Sequence, residues 1–199
     1  ATSLDSFTLS AIPFFILAGQ VMNRGGIAVR LINFAKAIVG PLPGGLAFVN
    51  IISCMLFGAI SGSAAAAASA IGGFMTPMME KEGYDKPFSA AVNITSATTG
   101  LIIPPSNILI IYSLASGGVS IAALFIAGYI PGIILGIALM VVAAIYSFIK
   151  KYPTEKMVGI KEFFKRFLDA MPSLLLLIVV IGGIVAGIFT ATEASAIAV

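Results

Sequence analysis

The chain contains no histidine and a single cysteine, Cys54. Without histidine there is no His-dependent catalytic triad, no HExxH site and no imidazole-bound metal. One cysteine allows neither an intrachain disulfide nor a thiolate metal cluster. Charge is nearly as scarce. Only 10% of the 199 residues are Asp, Glu, Lys or Arg, against about 25% in an ordinary soluble domain. A soluble fold must cover its surface with polar groups, so a water-soluble enzyme is excluded. The formal net charge of +3 is too small to point to nucleic acid. No GxxxxGK[ST] motif occurs, which excludes ATP binding through a P-loop within this chain.

What remains is apolar. Hydrophobic residues make up 59% of the chain, and its mean hydropathy is +1.11. The composition is that of an all-α polytopic membrane protein embedded in a lipid bilayer. The charges are also unevenly placed. No Lys, Arg, Asp or Glu occurs from Ala37 to Met79, from Pro87 to Ile149, or from Ala170 to Thr192. Each run exceeds the roughly 20 residues a spanning helix needs, and the second holds two spans divided by the polar Ser116–Ser120 stretch. The chain opens without an initiator Met and stops inside an apolar run, as expected of an internal piece of a larger membrane protein.

Residues 7–22 read as a first span, ended by Arg24-Gly25-Gly26. Residues 27–39 carry Arg30 and Lys36 among apolar positions and read as an amphipathic helix near the interface. Residues 46–79 are apolar but interrupted by Gly58 and by Ser61-Gly62-Ser63. Each limb of about 15 residues reaches about 22 Å, short of a hydrocarbon core of about 30 Å. The pattern predicts a re-entrant helical hairpin; one long tilted helix or two short spans are the alternatives. Residues 88–116 form a span broken near its centre, because Pro104-Pro105 cannot donate backbone hydrogen bonds and each restricts the residue before it. Residues 121–149 form the next span, 154–169 an interfacial helix with Phe163, Phe164 and Phe167 beside Lys161, Lys165 and Arg166, and 171–190 a last span.

All eleven Lys and Arg fall within 24–36, 81–86 and 150–166. If 46–79 is a hairpin returning to its own side, the three clusters share one face, the cytoplasm. A full crossing would split them, so charge parity favours the hairpin. Asp5 and the turn near Gly117 then face outward.

The hairpin tip and the broken span free backbone groups at membrane depth. Carbonyls at a half-helix C-terminus suit a hard cation, and amides at an N-terminus suit a carboxylate. The side chains there are neutral: Ser61, Ser63, Thr95, Ser96, Thr98, Thr99, Ser106 and Asn107. Scattered Ser and Thr in spans usually hydrogen-bond their own helix. Ser61-Gly62-Ser63 and the Gly100–Asn107 stretch read instead as a site, since both break helices at mid-depth. No acidic residue lies within a predicted span core, which favours sodium over proton coupling. The glycines at 128, 132 and 136 read as close-packing surface. Cys54 reads as packing, Glu193 as structural, and Asn93-Ile94-Thr95 lies inside a span and is discarded as a glycosylation site.

The run Gly58-Ala59-Ile60-Ser61-Gly62-Ser63-Ala64, then Gly83-Tyr84-Asp85, then Gly100-Leu101-Ile102-Ile103-Pro104-Pro105-Ser106, resembles the large membrane subunit of tripartite ATP-independent periplasmic (TRAP) transporters. So do Ile12–Gly19, Leu124–Gly128 and Gly187–Ala194, in order along nearly the whole chain. In two places the chain departs from the family, which often has Asp at the position of Ala67 and Pro at that of Ala191. The resemblance implies an elevator-type secondary transporter in the cytoplasmic (inner) membrane of a bacterium or archaeon. This chain would be the first part of its inverted repeat. Residues 1–45 would form a first span and arm helix on the scaffold side, and 46–116 the hairpin and broken helix of the transport domain. Residues 117–169 would form a span and interfacial helix, and 170–199 the start of a second repeat. The resemblance also implies sodium-driven uptake of an organic acid, such as a dicarboxylate or a sialic acid. A periplasmic binding protein would deliver the acid, and a small membrane subunit, separate or fused, would join the scaffold. Carried over, the sodium ligands are carbonyls of Ser61, Gly100, Ile102 and Pro105, and Ser63, Ser106 and Asn107 are substrate contacts. A stand-alone sodium–carboxylate symporter and a non-transporting membrane scaffold are the competing readings.

Overall fold

The computed structural model describes residues 11–154 and 158–199. Asp5, Lys156 and the start of the first predicted span lie outside the described residues. Nine helices and no strand occur among them. The first two, α1 (Ala11–Arg24) and α2 (Ile27–Val39), meet at a tight turn where Gly26 takes φ 75°. In α2 the buried residues are Ala28, Leu31, Ile32, Ala35 and Val39, while Arg30 is exposed. That spacing of three and four is one face of a helix, as the sequence predicts, and it packs on α3.

The 46–79 segment turns once. Helix α3 (Gly45–Ser61) ends at Gly62, which takes φ 60°, and α4 (Ala64–Lys81) starts two residues later. Only glycine occupies this left-handed conformation without cost. Ser63 caps α4, its hydroxyl accepting from the Ala66 N–H at 3.3 Å. Asn50 near the start of α3 lies beside Met79 near the end of α4, Nδ2 to Sδ 3.9 Å. The limbs are therefore antiparallel, which removes the single long helix as an alternative. With 17 and 18 residues, each limb is about 26 Å long.

Helix α5 (Lys86–Thr99) and α6 (Asn107–Ala115) flank the break at residues 100–106. Helix α7 (Ile121–Lys150) follows, and then α8 (Ile160–Val185) and α9 (Ala191–Ala198). Among the described helices, α7 and α8 are long and apolar enough to cross a bilayer, while α1 and α3 carry shorter apolar stretches.

The predicted separation of an interfacial helix from a last span is corrected. Ile160–Val185 is one continuous helix. Asp169-Ala170-Met171 offers no glycine to stop it, and Pro172 removes only one backbone donor inside a long helix. The helix also ends before 190. Gly187 takes φ 72°, Ile188 N–H donates to the Gly183 carbonyl at 2.8 Å and Gly187 N–H to that of Ile184 at 3.1 Å. This is a Schellman stop. Thr190 and Glu193 then form a reciprocal capping box that starts α9, which gives Glu193 the structural role expected of it.

Two apolar clusters hold the helices. One gathers α2, α3, α4, α5 and the latter part of α7 around Leu31, Ile51, Phe57, Ile71 and Met75. The other joins α1, α6, the start of α7, the end of α8 and α9 through Phe15, Ile110, Phe125, Val180 and Ile184. In lipid, burial of apolar surface does little to hold helices together, and close packing at small residues does more. The glycines show where that happens. Cβ atoms added at Gly132 and Gly136 would sit 2.5 Å from Ile103 Cγ1 and from Met55 Cε. The predicted glycine stripe on α7 is thus a packing face against α3 and the break.

Candidate functional site

The hairpin tip and the break between α5 and α6 are in direct contact. A Cβ built on Gly58, three residues before the end of α3, would sit 2.6 Å from Gly100 Cα. One built on Gly100 would sit 2.6 Å from Gly58 Cα and 2.9 Å from the Cys54 carbonyl. Backbone meets backbone here, and a side chain on either residue would push the two apart. One turn further on, Gly62 meets Asn107. A Cβ on Gly62 would lie 2.7 Å from Asn107 Nδ2, and that amide nitrogen donates to the Gly62 carbonyl at 3.5 Å. On the other side Gly19 of α1 closes on Ser61, with room for no Cβ.

This contact joins two helix ends of opposite polarity. Helix α3 ends at Ser61 with its last carbonyls facing the tip, and α6 starts at Asn107 behind Ser106, whose side chain makes no capping bond. A helix C-terminus carries partial negative charge and an N-terminus partial positive charge. Accounting for the break's carbonyls sharpens the picture. Thr98 and Thr99 accept from the N–H groups of Leu101, Ile102 and Ile103, and Leu101 accepts from the Ser106 hydroxyl. Among the described residues, none donates to the carbonyls of Gly100, Ile102 or Pro105. The Ile102 carbonyl points at α7, 2.6 Å from where a Cβ on Gly128 would be.

The polar side chains divide by what they already do. Ser61 is buried and its Oγ donates to the Ser63 carbonyl at 3.4 Å. The Ser63 hydroxyl is the α4 cap, and Ser106 braces the break. Ser96 and Thr99 hydrogen-bond back into α5, as do Thr95 and Thr98. Asn107 keeps a buried Oδ1 with no partner. It is the candidate side chain with acceptor capacity still unused. No cluster of three or more Cys, Asp or Glu occurs among the described residues, and the polar side chains named above are neutral.

Two constellations were not legible as sites. Asn93 of α5 donates from Nδ2 to the Ala68 carbonyl of α4 at 2.9 Å, and its Oδ1 lies 3.7 Å from Cys54 Sγ of α3. Cys54 in turn lies 3.3 Å from Asn50 Oδ1, and Gly72 leaves no space for a Cβ beside Asn93. A buried polar thread therefore ties both hairpin limbs to α5. Two asparagines in apolar runs were the available signal. The second constellation lies at the opposite end of α5. The Lys150 ammonium pairs with Asp85 Oδ2 at 3.0 Å, Tyr146 OH donates to the same oxygen at 3.3 Å, and Asp85 N–H donates to Tyr152 OH at 3.2 Å. The Lys150 hydrogen bond is the chief reason the Asp85 carboxyl is held below its ordinary value, with the Tyr152 contact next. Tyr84 stacks on Tyr152 with centroids 4.1 Å apart, and Phe88 on Tyr146 at 4.5 Å.

The sequence model of the family described as "Tripartite ATP-independent periplasmic transporter, DctM component" matches residues 1–199. A Salmonella typhimurium protein named only as uncharacterized protein YgiK is 61% identical over 98% of this chain and 45% of its own length. The C4-dicarboxylate TRAP transporter large permease protein DctM of Pseudomonas aeruginosa is 43% identical over 98% of this chain and 45% of its own. The sialic acid TRAP transporter large permease protein SiaM of Vibrio cholerae is 42% identical over the same shares. The chain thus spans less than half the length of these relatives.

Proposed function

The chain belongs to the DctM component family of TRAP transporters, a family of transporters rather than enzymes, and from that premise we propose that it forms the cation-binding half of a sodium-coupled organic-acid uptake permease. One observation carries the reading: the C-terminal end of α3 and the N-terminal end of α6 meet at Gly62 and Asn107. Carbonyls of Ser61, Gly100, Ile102 and Pro105 are the proposed sodium ligands. A ring of neutral carbonyls replaces the hydration shell of a monovalent cation without adding fixed charge. The amides opening α6 and the free acceptor of Asn107 are the proposed substrate side. Those amides meet the substrate's carboxylate, and Oδ1 accepts from a hydroxyl or amide on it. Ser63 and Ser106 brace the tip and the break on either side of that site through their backbone bonds.

Sodium and substrate then occupy adjacent ends of one broken-helix assembly, which explains coupling by electrostatics. A cation beside α3 makes the neighbourhood of the α6 amides more favourable to an anion. The hairpin is read as re-entrant in a multi-pass membrane domain, since neither limb alone reaches across a core of about 30 Å. Hairpin, break and α7 slide as one elevator body against a scaffold that includes a small membrane subunit, and a periplasmic binding protein delivers the acid. Relatives named for dicarboxylate and for sialic acid support a carboxylate substrate. The test is uptake by the full-length permease, reconstituted with its small subunit, under an inward sodium gradient. Uptake of a C4-dicarboxylate or a sialic acid should need both sodium and the binding protein. Equal uptake in potassium would remove sodium coupling, and full uptake without the binding protein would make the permease a stand-alone symporter.

A further inference from the structure

Helix α7 touches the break and the Asp85 loop at once. At one end Gly128 faces the Ile102 carbonyl, and Gly132 faces the Ile103 side chain. At the other end Tyr146, Lys150 and the following Tyr152 grip Asp85, Tyr84 and Phe88. From 128 to 146 the helix spans about 27 Å.

The contacts leave α7 little freedom. A one-residue register shift, about 1.5 Å of slide together with about 100° of turn, would put Ala127 or Tyr129 where Gly128 now meets the Ile102 carbonyl. That carbonyl would have to turn away. The grip at the far end opposes such a shift in two ways. Two stacked ring pairs fix rotation, and an ion pair shared with a tyrosine hydroxyl fixes position along the axis. The grip is built at local cost. Lys151 ends α7 at φ 55°, a left-handed conformation unusual for a lysine. That turn brings Tyr152 back so that its N–H donates to the Ser147 carbonyl at 3.2 Å and its ring covers Tyr84. Tyr84 is only 3% exposed.

We propose that α7 is a strut whose seating on the Tyr84–Phe88 loop sets the Ile102 carbonyl, making Asp85, Tyr146, Lys150 and Tyr152 positioning residues for the cation. The proposal rests on the reading of the break as a sodium site. The experiment measures thermal stability of the full-length permease across a sodium series, with potassium replacing sodium at constant ionic strength. It compares wild type with Tyr152→Ala and Asp85→Asn. The second variant changes a side chain that is 42% exposed and keeps the protein folded if the first does not. Lys161→Gln, outside the grip, serves as control. The sodium concentration giving half-maximal stabilisation should rise by about threefold or more in both variants, within the range of couplings carried through packed elements, and stay unchanged in the control. A lower melting temperature without sodium but an unchanged half-maximal concentration would make the grip a stability feature only, and would overturn the proposal. A wild type that gains no stability from sodium would overturn the cation site itself.

Discussion

Gly58 and Gly100 are each other's reason for being glycine. Each occupies the place where the other's Cβ would be, so the contact is lost whichever one is changed. Gly100→Val adds a branched side chain against backbone, where overpacking typically costs about 1–3 kcal/mol, and it displaces a proposed ligand carbonyl. We expect it to lower the melting temperature and to abolish sodium-dependent stabilisation and uptake. Ser61→Ala keeps the carbonyl and should retain a measurable part of both. Sodium dependence equal to wild type in Gly100→Val would place the ion elsewhere. At Asp85 the sign of the pH effect follows from its partners. Its carboxyl is depressed in the folded state relative to an unfolded value near 3.8. The pair therefore contributes above that pH, and the contribution is lost as pH falls through the folded value. Acid unfolding curves of wild type and Asp85→Asn should diverge above pH 3.8 and converge below it. The glycines and prolines that break the helices were legible in the sequence, because their backbone chemistry is local. The pairing of Gly58 with Gly100, forty-two positions apart, was not. Neither was the link from Asn93 to Cys54, since an isolated polar residue in an apolar run gives no sign of its partner.

At the scale of elements the hairpin was the most legible feature. Its tip carries the residues that a tight turn requires, and α3 and α4 divide there. The amphipathic α2 was legible for the same reason, a periodic face. The continuity of α8 was not, because charge composition changes near Asp169 while the backbone does not. The first half of α8 is held by Phe34 of α2, which meets Phe167 at 5.7 Å and Phe163 at 6.5 Å between ring centroids. A double-mutant cycle of Phe34→Leu and Phe167→Leu should give a coupling of about 0.5–1.5 kcal/mol. A coupling of zero would mean that this half of α8 is seated by its other contacts.

For the whole molecule, the distribution of positive charge predicts sidedness. In a Cys54→Ala background, single cysteines at Lys86 and Lys161 should react with an impermeant thiol reagent only from the cytoplasmic side, and one at Gly117 only from outside. Opposite labelling of the first two would mean that residues 88–116 and α7 do not both cross, whereas a cysteine at Arg30 labelled from the side opposite Lys86 would mean that the hairpin crosses. The dimensions of α7 carry a consequence of another kind. Its 30 residues make a rod of about 45 Å, and they are uncharged until Lys150, whereas the hydrocarbon core is about 30 Å thick. Tilt alone would need nearly 50°, beyond the range of up to about 40° that spanning helices show. A membrane-spanning α7 would make the bilayer thicken locally or leave apolar turns in the headgroup layer. Either response would store elastic strain in the surrounding lipid, and that strain would bear on a helix that touches both the break and the Asp85 loop. On the proposed reading, membrane thickness is a control variable for the permease. In proteoliposomes of graded acyl-chain length, uptake should pass through a maximum at chains longer than those of an average membrane.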